Sequence, residues 1–166
     1  MATLWLIGMM GAGKTTVAPI VAAGIGAPWY DTDREIERDT ALEATQLMDA
    51  DELRFRAAER AVVARLAAVA AVVACGGGVV LDPTNVEIMR RSGLVALLDA
   101  PREVLARRLG DGIGRPLLAG GVDASLQLIG QARRALYAGA AHVVVDADDD
   151  PDVVARRVME LWTISS

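Results

Sequence analysis

Within its first sixteen residues the chain runs from an apolar stretch, Leu4-Trp5-Leu6-Ile7, directly into Gly8-Met9-Met10-Gly11-Ala12-Gly13-Lys14-Thr15-Thr16. The spacing is G-x-x-x-x-G-K-[ST], placed after a strand-like run and ahead of helical sequence, the context in which it carries meaning. Glycines at these positions allow backbone angles that turn successive N–H groups inward, making an anion nest. The helix that follows aims its positive end at the same point. A lysine here reaches the β- and γ-phosphates of a nucleotide, and the next hydroxyl is placed to ligate Mg²⁺. Gly11, Ala12, Gly13, Lys14, Thr15 and Thr16 are therefore candidate nucleotide ligands, with Thr15 also a candidate metal ligand.

Composition sharpens that reading. Of the 17 basic residues only Lys14 is a lysine. The absence of any other lysine rules out the N-K-x-D signature of a GTPase, and no G-x-S-x-G or Cys/His metal cluster is present. A net charge of −5 argues against a nucleic-acid partner, which needs a basic surface. The 166 residues, 53% of them apolar, suit one domain that buries about 70% of its unfolded surface. No apolar run approaches the roughly 18 residues of a membrane span. The opening residues show neither a basic region nor a cleavage pattern. The lone Cys75 excludes an internal disulfide and fits a reducing compartment. A cytoplasmic, monomeric, single-domain protein without membrane association is expected.

Short apolar runs alternate with longer helical patterns, which predicts α/β units around a mostly parallel sheet. The expected strands are Leu4 to Ile7, Pro28 to Tyr30, Ala71 to Cys75, Leu94 to Leu98 and His142 to Val145, each apolar on both faces. Helices are expected at about 14–24, 33–39, 51–69, 84–91, 101–109, 123–138 and 151–162. Asp82-Pro83 and Ala100-Pro101 read as helix starts with proline in the first turn. The span 110–122, GDGIGRPLLAGGV, carries five glycines and a proline. It reads either as a surface loop or as a mobile lid bearing Arg115.

Other residues point to an acceptor. Asp31 and Asp33 follow the second strand, at the strand ends where ligands bind in doubly wound sheets. One can support Mg²⁺ and the other can take a proton from an attacking hydroxyl, although both could equally be acids capping a helix. Gly76-Gly77-Gly78 ends the third strand, either admitting a ligand close to the backbone or making a flexible turn. Arg56 and Arg133 lie on predicted helices, where an arginine is usually solvated. His142 is expected to be structural, with no partner evident in the sequence.

Taken together, these pieces resemble the shikimate kinase family over nearly the whole chain. GMMGAGKTTV is similar to that family's phosphate loop, DTDREIE to its D-x-D-x-x-I-E, and ELRFRAAE to its E-x-x-F-R-x-x-E. GGGVV is similar to its glycine triplet, RPLLAG to its lid motif, and RRALY with HVVVDAD to its R-x-P-L-Y and terminal strand. The resemblance implies a P-loop fold like that of nucleoside monophosphate kinases, a five-stranded parallel sheet sandwiched by helices. It implies an acceptor-binding segment at about 33–60 and a mobile lid at about 110–122. ATP and Mg²⁺ would be used to phosphorylate shikimate. Lys14 and Thr15 would hold phosphates and metal, with Asp31 in the magnesium shell. Asp33 would orient the acceptor hydroxyl and serve as its base. Arg56 and Arg133 would grip the acceptor carboxylate beside Gly77 and Gly78. Arg115 would close onto the phosphates and Arg108 would pack near adenine.

Departures from the family pattern cluster on the acceptor side. The segment 40–50 is about one residue short, Leu47 stands where an aromatic is common, and Asp51 replaces a glycine. Val17-Ala18-Pro19 replaces V-G-R, putting a proline where it would break helical bonding unless Lys14 lies in the first turn. Ala135 stands in for a proline and Gly139 for an acid. Two other readings stay open: the same chemistry on another small hydroxy acid or cyclitol, and a non-catalytic nucleotide-binding module.

Overall fold

A computed structural model describes residues 2–110 and 120–165. Five strands form one parallel sheet: β1 (Thr3–Ile7), β2 (Trp29–Asp31), β3 (Val72–Ala74), β4 (Gly93–Asp99) and β5 (Val143–Asp146). Their spatial order is β2-β3-β1-β4-β5. The eight α-helices among the described residues are α1 (Lys14–Ile25), α2 (Thr32–Thr40), α3 (Ala44–Ala50), α4 (Glu52–Leu66), α5 (Pro83–Ser92), α6 (Arg102–Leu109), α7 (Val122–Ala140) and α8 (Pro151–Ser165). The five expected strands are all present, each end within one residue of its expected position.

Side chains alternate across a strand, and β1 divides the core accordingly. Leu4 and Leu6 join Val17, Val21, Val154 and Val158 under α1 and α8. Trp5 and Ile7 join Ile36, Val62, Val63 and Met89 on the opposite face. The expectation that every strand is covered on both faces holds for β1 and β3, which are wholly buried. It fails at the edges, where β2 is only partly buried and Val144 of β5 is 60% exposed, because an edge strand has one neighbour fewer to shield it.

Local signals account for most helix boundaries. Asp82 caps α5 by accepting the Thr84 N–H at 2.8 Å, with Pro83 in the first turn. Pro101 is itself the N-cap of α6 and not its first helical residue. Asp51 caps α4 by accepting the Arg54 N–H at 3.0 Å, which gives this departure from the family pattern a structural role. Helix α3 was not among the expected helices. Its seven residues are held by burial of Ala44 and Leu47 and by the Ala44 N–H donating to Glu37 Oε1 at 3.1 Å. His142 does have a partner: its Nδ1 accepts the Val95 N–H at 3.1 Å. Burial first, and then Arg90, hold its pKa below the usual value, keeping the ring neutral as that bond requires.

Pro19 sits inside α1, which continues to Ile25. Lys14 is the first helical residue, yet this does not spare the bond as expected: Pro19 falls in the second turn, where its missing N–H would have donated to the Thr15 carbonyl. The helix persists because Val17, Ala18, Val21 and Ala22 are buried against the sheet. Pro19→Ala restores one hydrogen bond and is expected to stabilise the protein by about 1–3 kcal/mol. Urea denaturation checks this as a raised midpoint at unchanged slope.

Candidate active site

The carboxyl ends of β1, β2 and β3 and the loop after β5 converge on one cleft of about 770 Å³. The phosphate loop forms its floor. Gly8 has φ 144°, and a Cβ there would lie 2.5 Å from the Leu98 carbonyl oxygen, so the turn out of β1 admits only glycine. Gly13, left-handed at φ 93°, is the N-cap of α1. Gly11, Ala12, Thr15 and Thr16 line the cleft above the amino end of that helix. Lys14 is buried, its Nζ donating to the Gly8 and Met9 carbonyls at 2.7 and 2.9 Å. Arg108 forms a wall by bonding the Ala147 and Asp149 carbonyls at 2.7 and 3.2 Å and the Gly11 carbonyl at 3.4 Å.

Asp31 is the cap of α2 and also meets the phosphate loop. Oδ1 caps α2 by accepting the Asp33 and Arg34 N–H groups, while Oδ2 accepts the Thr15 hydroxyl at 2.8 Å. Two hard oxygen donors are thereby paired at the phosphate loop. That suits Mg²⁺, which is usually held by one or two protein oxygens with phosphate and water completing its shell. The described residues contain no group of three His, Cys, Asp or Glu that could hold a metal by itself.

Asp33 lies where the cleft meets a second cavity of about 180 Å³. A cavity of about 150 Å³ holds a benzene ring, so the second one suits a single small ring. Burial is the main cause pushing the Asp33 pKa up from 3.8 to about 6; Asp31 and Glu59 push the same way, and Lys14 opposes them.

The second cavity is built around the glycine triplet. None of the three has a positive φ, so the sequence GGG is not needed for a turn. It is needed for space. A Cβ on Gly76 would lie 2.7 Å from Asp33 Oδ1, one on Gly77 would lie 3.6 Å from Arg133 Nη1, and one on Gly78 would lie 2.7 Å from Arg56 Nη1. Gly76 and Gly78 thus make room for Asp33 and Arg56, while at Gly77 a Cβ would meet Arg133 only in ordinary van der Waals contact. Arg56 and Arg133, far from solvated, are 15% exposed by side chain and 9% by residue. Arg56 Nη1 donates to Glu59 Oε2 at 2.9 Å and to the Gly78 carbonyl at 3.2 Å.

Three supporting residues were not singled out as site residues from the sequence. Glu59, fully buried, is the ion-pair partner of Arg56; burial raises its pKa and Arg56 opposes the rise. The i, i+3 spacing of Arg56 and Glu59 was the available signal. Tyr137 donates its hydroxyl to the Gly77 carbonyl at 2.5 Å, and Thr32 Oγ1 accepts the Gly76 N–H at 2.8 Å. These contacts span 60 and 44 residues, a separation at which no sequence pattern operates. Leu47 packs in the core, while its neighbour Met48 lines the second cavity. Every candidate site residue among the described ones borders one of the two cavities; Arg115 lies outside the described residues.

A phosphate loop at the exit of the central strand, joined through a half-buried carboxylate to an arginine-lined cavity, defines a P-loop small-molecule kinase. The sequence pattern described as "Shikimate kinase" matches residues 10–163. A shikimate kinase of Symbiobacterium thermophilum is 43% identical over 163 residues, covering 94% of each chain. One from Synechococcus elongatus is 38% identical, covering 95% of this chain and 85% of its own. The solved structure of the Acinetobacter baumannii shikimate kinase in complex with shikimate superposes with a TM-score of 0.91 at 31% identity, covering 97% of this chain and 92% of that one. The chain belongs to the shikimate kinase family.

The triplet geometry makes a separable prediction. Backbone φ at Gly78 is −92°, which alanine adopts freely, so Gly78→Ala is expected to keep the fold and displace the Arg56 guanidinium. Loss of a charge-assisted contact then weakens acceptor binding by on the order of tenfold or more. Gly76→Ala presses on Asp33 instead and is expected to lower kcat with little change in acceptor affinity. Shikimate titration and steady-state kinetics on the two variants check the contrast.

Proposed function

We propose that this kinase transfers the γ-phosphoryl group of ATP to the 3-hydroxyl of shikimate, giving shikimate 3-phosphate and ADP. The observation that carries the reading is the position of Asp33, shared between the phosphate cleft and a small cavity bordered by Arg56 and Arg133. Guanidinium forks match a carboxylate bidentately. In this reading they hold the acceptor's acid group while Asp33 receives its hydroxyl.

Phosphoryl transfer needs alignment and neutralisation of charge more than covalent chemistry. The acceptor hydroxyl hydrogen-bonds to Asp33, which takes its proton as the oxygen–phosphorus bond forms. The bond from the γ-phosphorus to the bridging oxygen breaks, and ADP carries away that electron pair. Lys14 is drawn from the loop carbonyls onto the β- and γ-phosphates, and the N–H groups at the start of α1 hold the remaining charge. Mg²⁺, held on the Thr15 and Asp31 side, would neutralise the β- and γ-oxygens. Arg108 borders the adenine. Arg115 is assigned the remaining positive charge over the transferring group, on its match to the family's lid motif.

The raised Asp33 pKa sets the pH dependence. Activity needs the carboxylate, so kcat is expected to fall as pH drops through about 6. Asp33→Asn is expected to lose turnover while still binding shikimate. The sign for stability is opposite. A carboxyl whose folded pKa lies above its unfolded value weakens the fold above the folded pKa, and the penalty is relieved as pH falls between the two. The interval from 3.8 to about 6 corresponds to roughly 3 kcal/mol. Asp33→Asn should therefore be more stable than wild type at pH 8 and gain little at pH 4, as thermal unfolding at both pH values will show.

The acceptor assignment is tested by comparing shikimate with its carboxamide analogue. Wild type is expected to prefer the acid strongly, while Arg56→Ala and Arg133→Ala raise the shikimate KM roughly ten- to a hundredfold and lose the preference. Arg56→Lys recovers little, because a point charge cannot reproduce the planar fork. Equal use of acid and amide by wild type would overturn the carboxylate clamp.

A further inference from the structure

The cavity beside Asp33 has a wall that the reaction does not yet account for. Helix α3 turns Thr45, Met48 and Asp49 toward that cavity. Its rotational phase is fixed independently of them: Ala44 and Leu47 are 5% and 2% exposed in the core, and the Ala44 N–H is held by Glu37 Oε1. At 3.6 residues per turn, that anchoring leaves 45, 48 and 49 on the flank facing the acceptor. Thr45 and Asp49 are exposed at the mouth of the cavity and make no hydrogen bond or ion pair with the described residues.

Polarity along the glycine triplet supplies the second half of the argument. Asp33 stands over Gly76, Arg133 over Gly77 and Arg56 over Gly78. A ring acid lying along the triplet puts its carboxylate at the arginine end and its reacting hydroxyl at the Asp33 end. Its remaining ring hydroxyls need acceptors on another wall, and α3 supplies a carboxylate and a hydroxyl there. We infer that Asp49, assisted by Thr45, is a specificity-determining residue that accepts a hydrogen bond from an acceptor hydroxyl other than the one phosphorylated. The inference rests on the shikimate reading above. A carboxylate at this position also repels the acid end of the acceptor, which favours the productive orientation over the reversed one.

The experiment compares shikimate with 4-deoxyshikimate and 5-deoxyshikimate in wild type, Asp49→Ala, Asp49→Asn and Thr45→Val. Gln46→Ala, on the exposed side of the same helix, is the control and is expected to behave as wild type. Wild type is expected to prefer shikimate over one of the deoxy analogues. Asp49→Ala raises the shikimate KM by about five- to tenfold, the size of one partly solvated hydrogen bond, and leaves the KM of that analogue unchanged, so the preference disappears. Asp49→Asn keeps part of it, and Thr45→Val loses less than Asp49→Ala. The proposal is overturned if Asp49→Ala retains the wild-type preference against both analogues, or if shikimate and analogues weaken by the same factor. Failure of wild type to phosphorylate shikimate at all would overturn the acceptor assignment itself, and with it this proposal; turnover with unaltered selectivity overturns only the role of Asp49.

Discussion

Everything in this molecule hangs on the burial of one short strand. β1 pairs with β3 on one side and β4 on the other, and all five of its residues are buried. Because the sheet is parallel, the carboxyl ends of all five strands face the same way, and the chain leaving the middle strand must turn sharply beneath α1. Gly8, against the Leu98 carbonyl, makes that turn possible. The phosphate loop is thus a consequence of where the central strand ends. Its N–H groups are held by a helix packed through Val17, Ala18 and Val21, so little reorganisation is needed when charge arrives.

From that fixed floor the acceptor side is built by exclusion of volume. In the triplet after β3, the missing side chains of Gly76 and Gly78 let the Asp33 carboxylate and the Arg56 guanidinium approach the strand exit more closely than any other residue there would allow. Thr32 and Tyr137 then bond the Gly76 N–H and Gly77 carbonyl, keeping the backbone from shifting into the space so created. Helix α7 contributes Arg133 and Tyr137 one turn apart, and α4 contributes Arg56 with Glu59. Charge and position are set by the same packed elements.

The site accepts energetic costs that a merely stable protein would avoid. Asp33 is pushed to about 6 by burial and by its acidic neighbours. Glu59 is buried, with Oε1 lacking a hydrogen-bond partner among the described residues, a loss set against orienting Arg56. An ion pair of this kind contributes little net stability, yet removing either member strands the other in the interior. Such conflicts between local stability and arrangement are expected where chemistry is done.

Much of the molecule could be read from the chain because its signals are local. The loop at 8–15 carries its own chemistry, since anion binding by a glycine turn at a helix start needs only neighbouring residues. The five strands follow from apolar runs, and Asp82 announces its helix through a cap reaching two residues along. What the sequence left open was decided at long range. Asp31 could have been a cap or a metal-side acid; it is the cap of α2, and folding brought the Thr15 hydroxyl to its other oxygen. Arg56 and Arg133 read as surface charge until α4 and α7 packed against Gly77 and Gly78. Helix α3 is too short to hold itself by propensity and exists because Ala44 and Leu47 are buried. The sequence by itself determined the phosphate-binding chemistry, because that depends on contiguous backbone. Only the tertiary structure decided which buried carboxylate meets which arginine, because a cavity is made by residues distant in sequence that share no pattern until the core has closed.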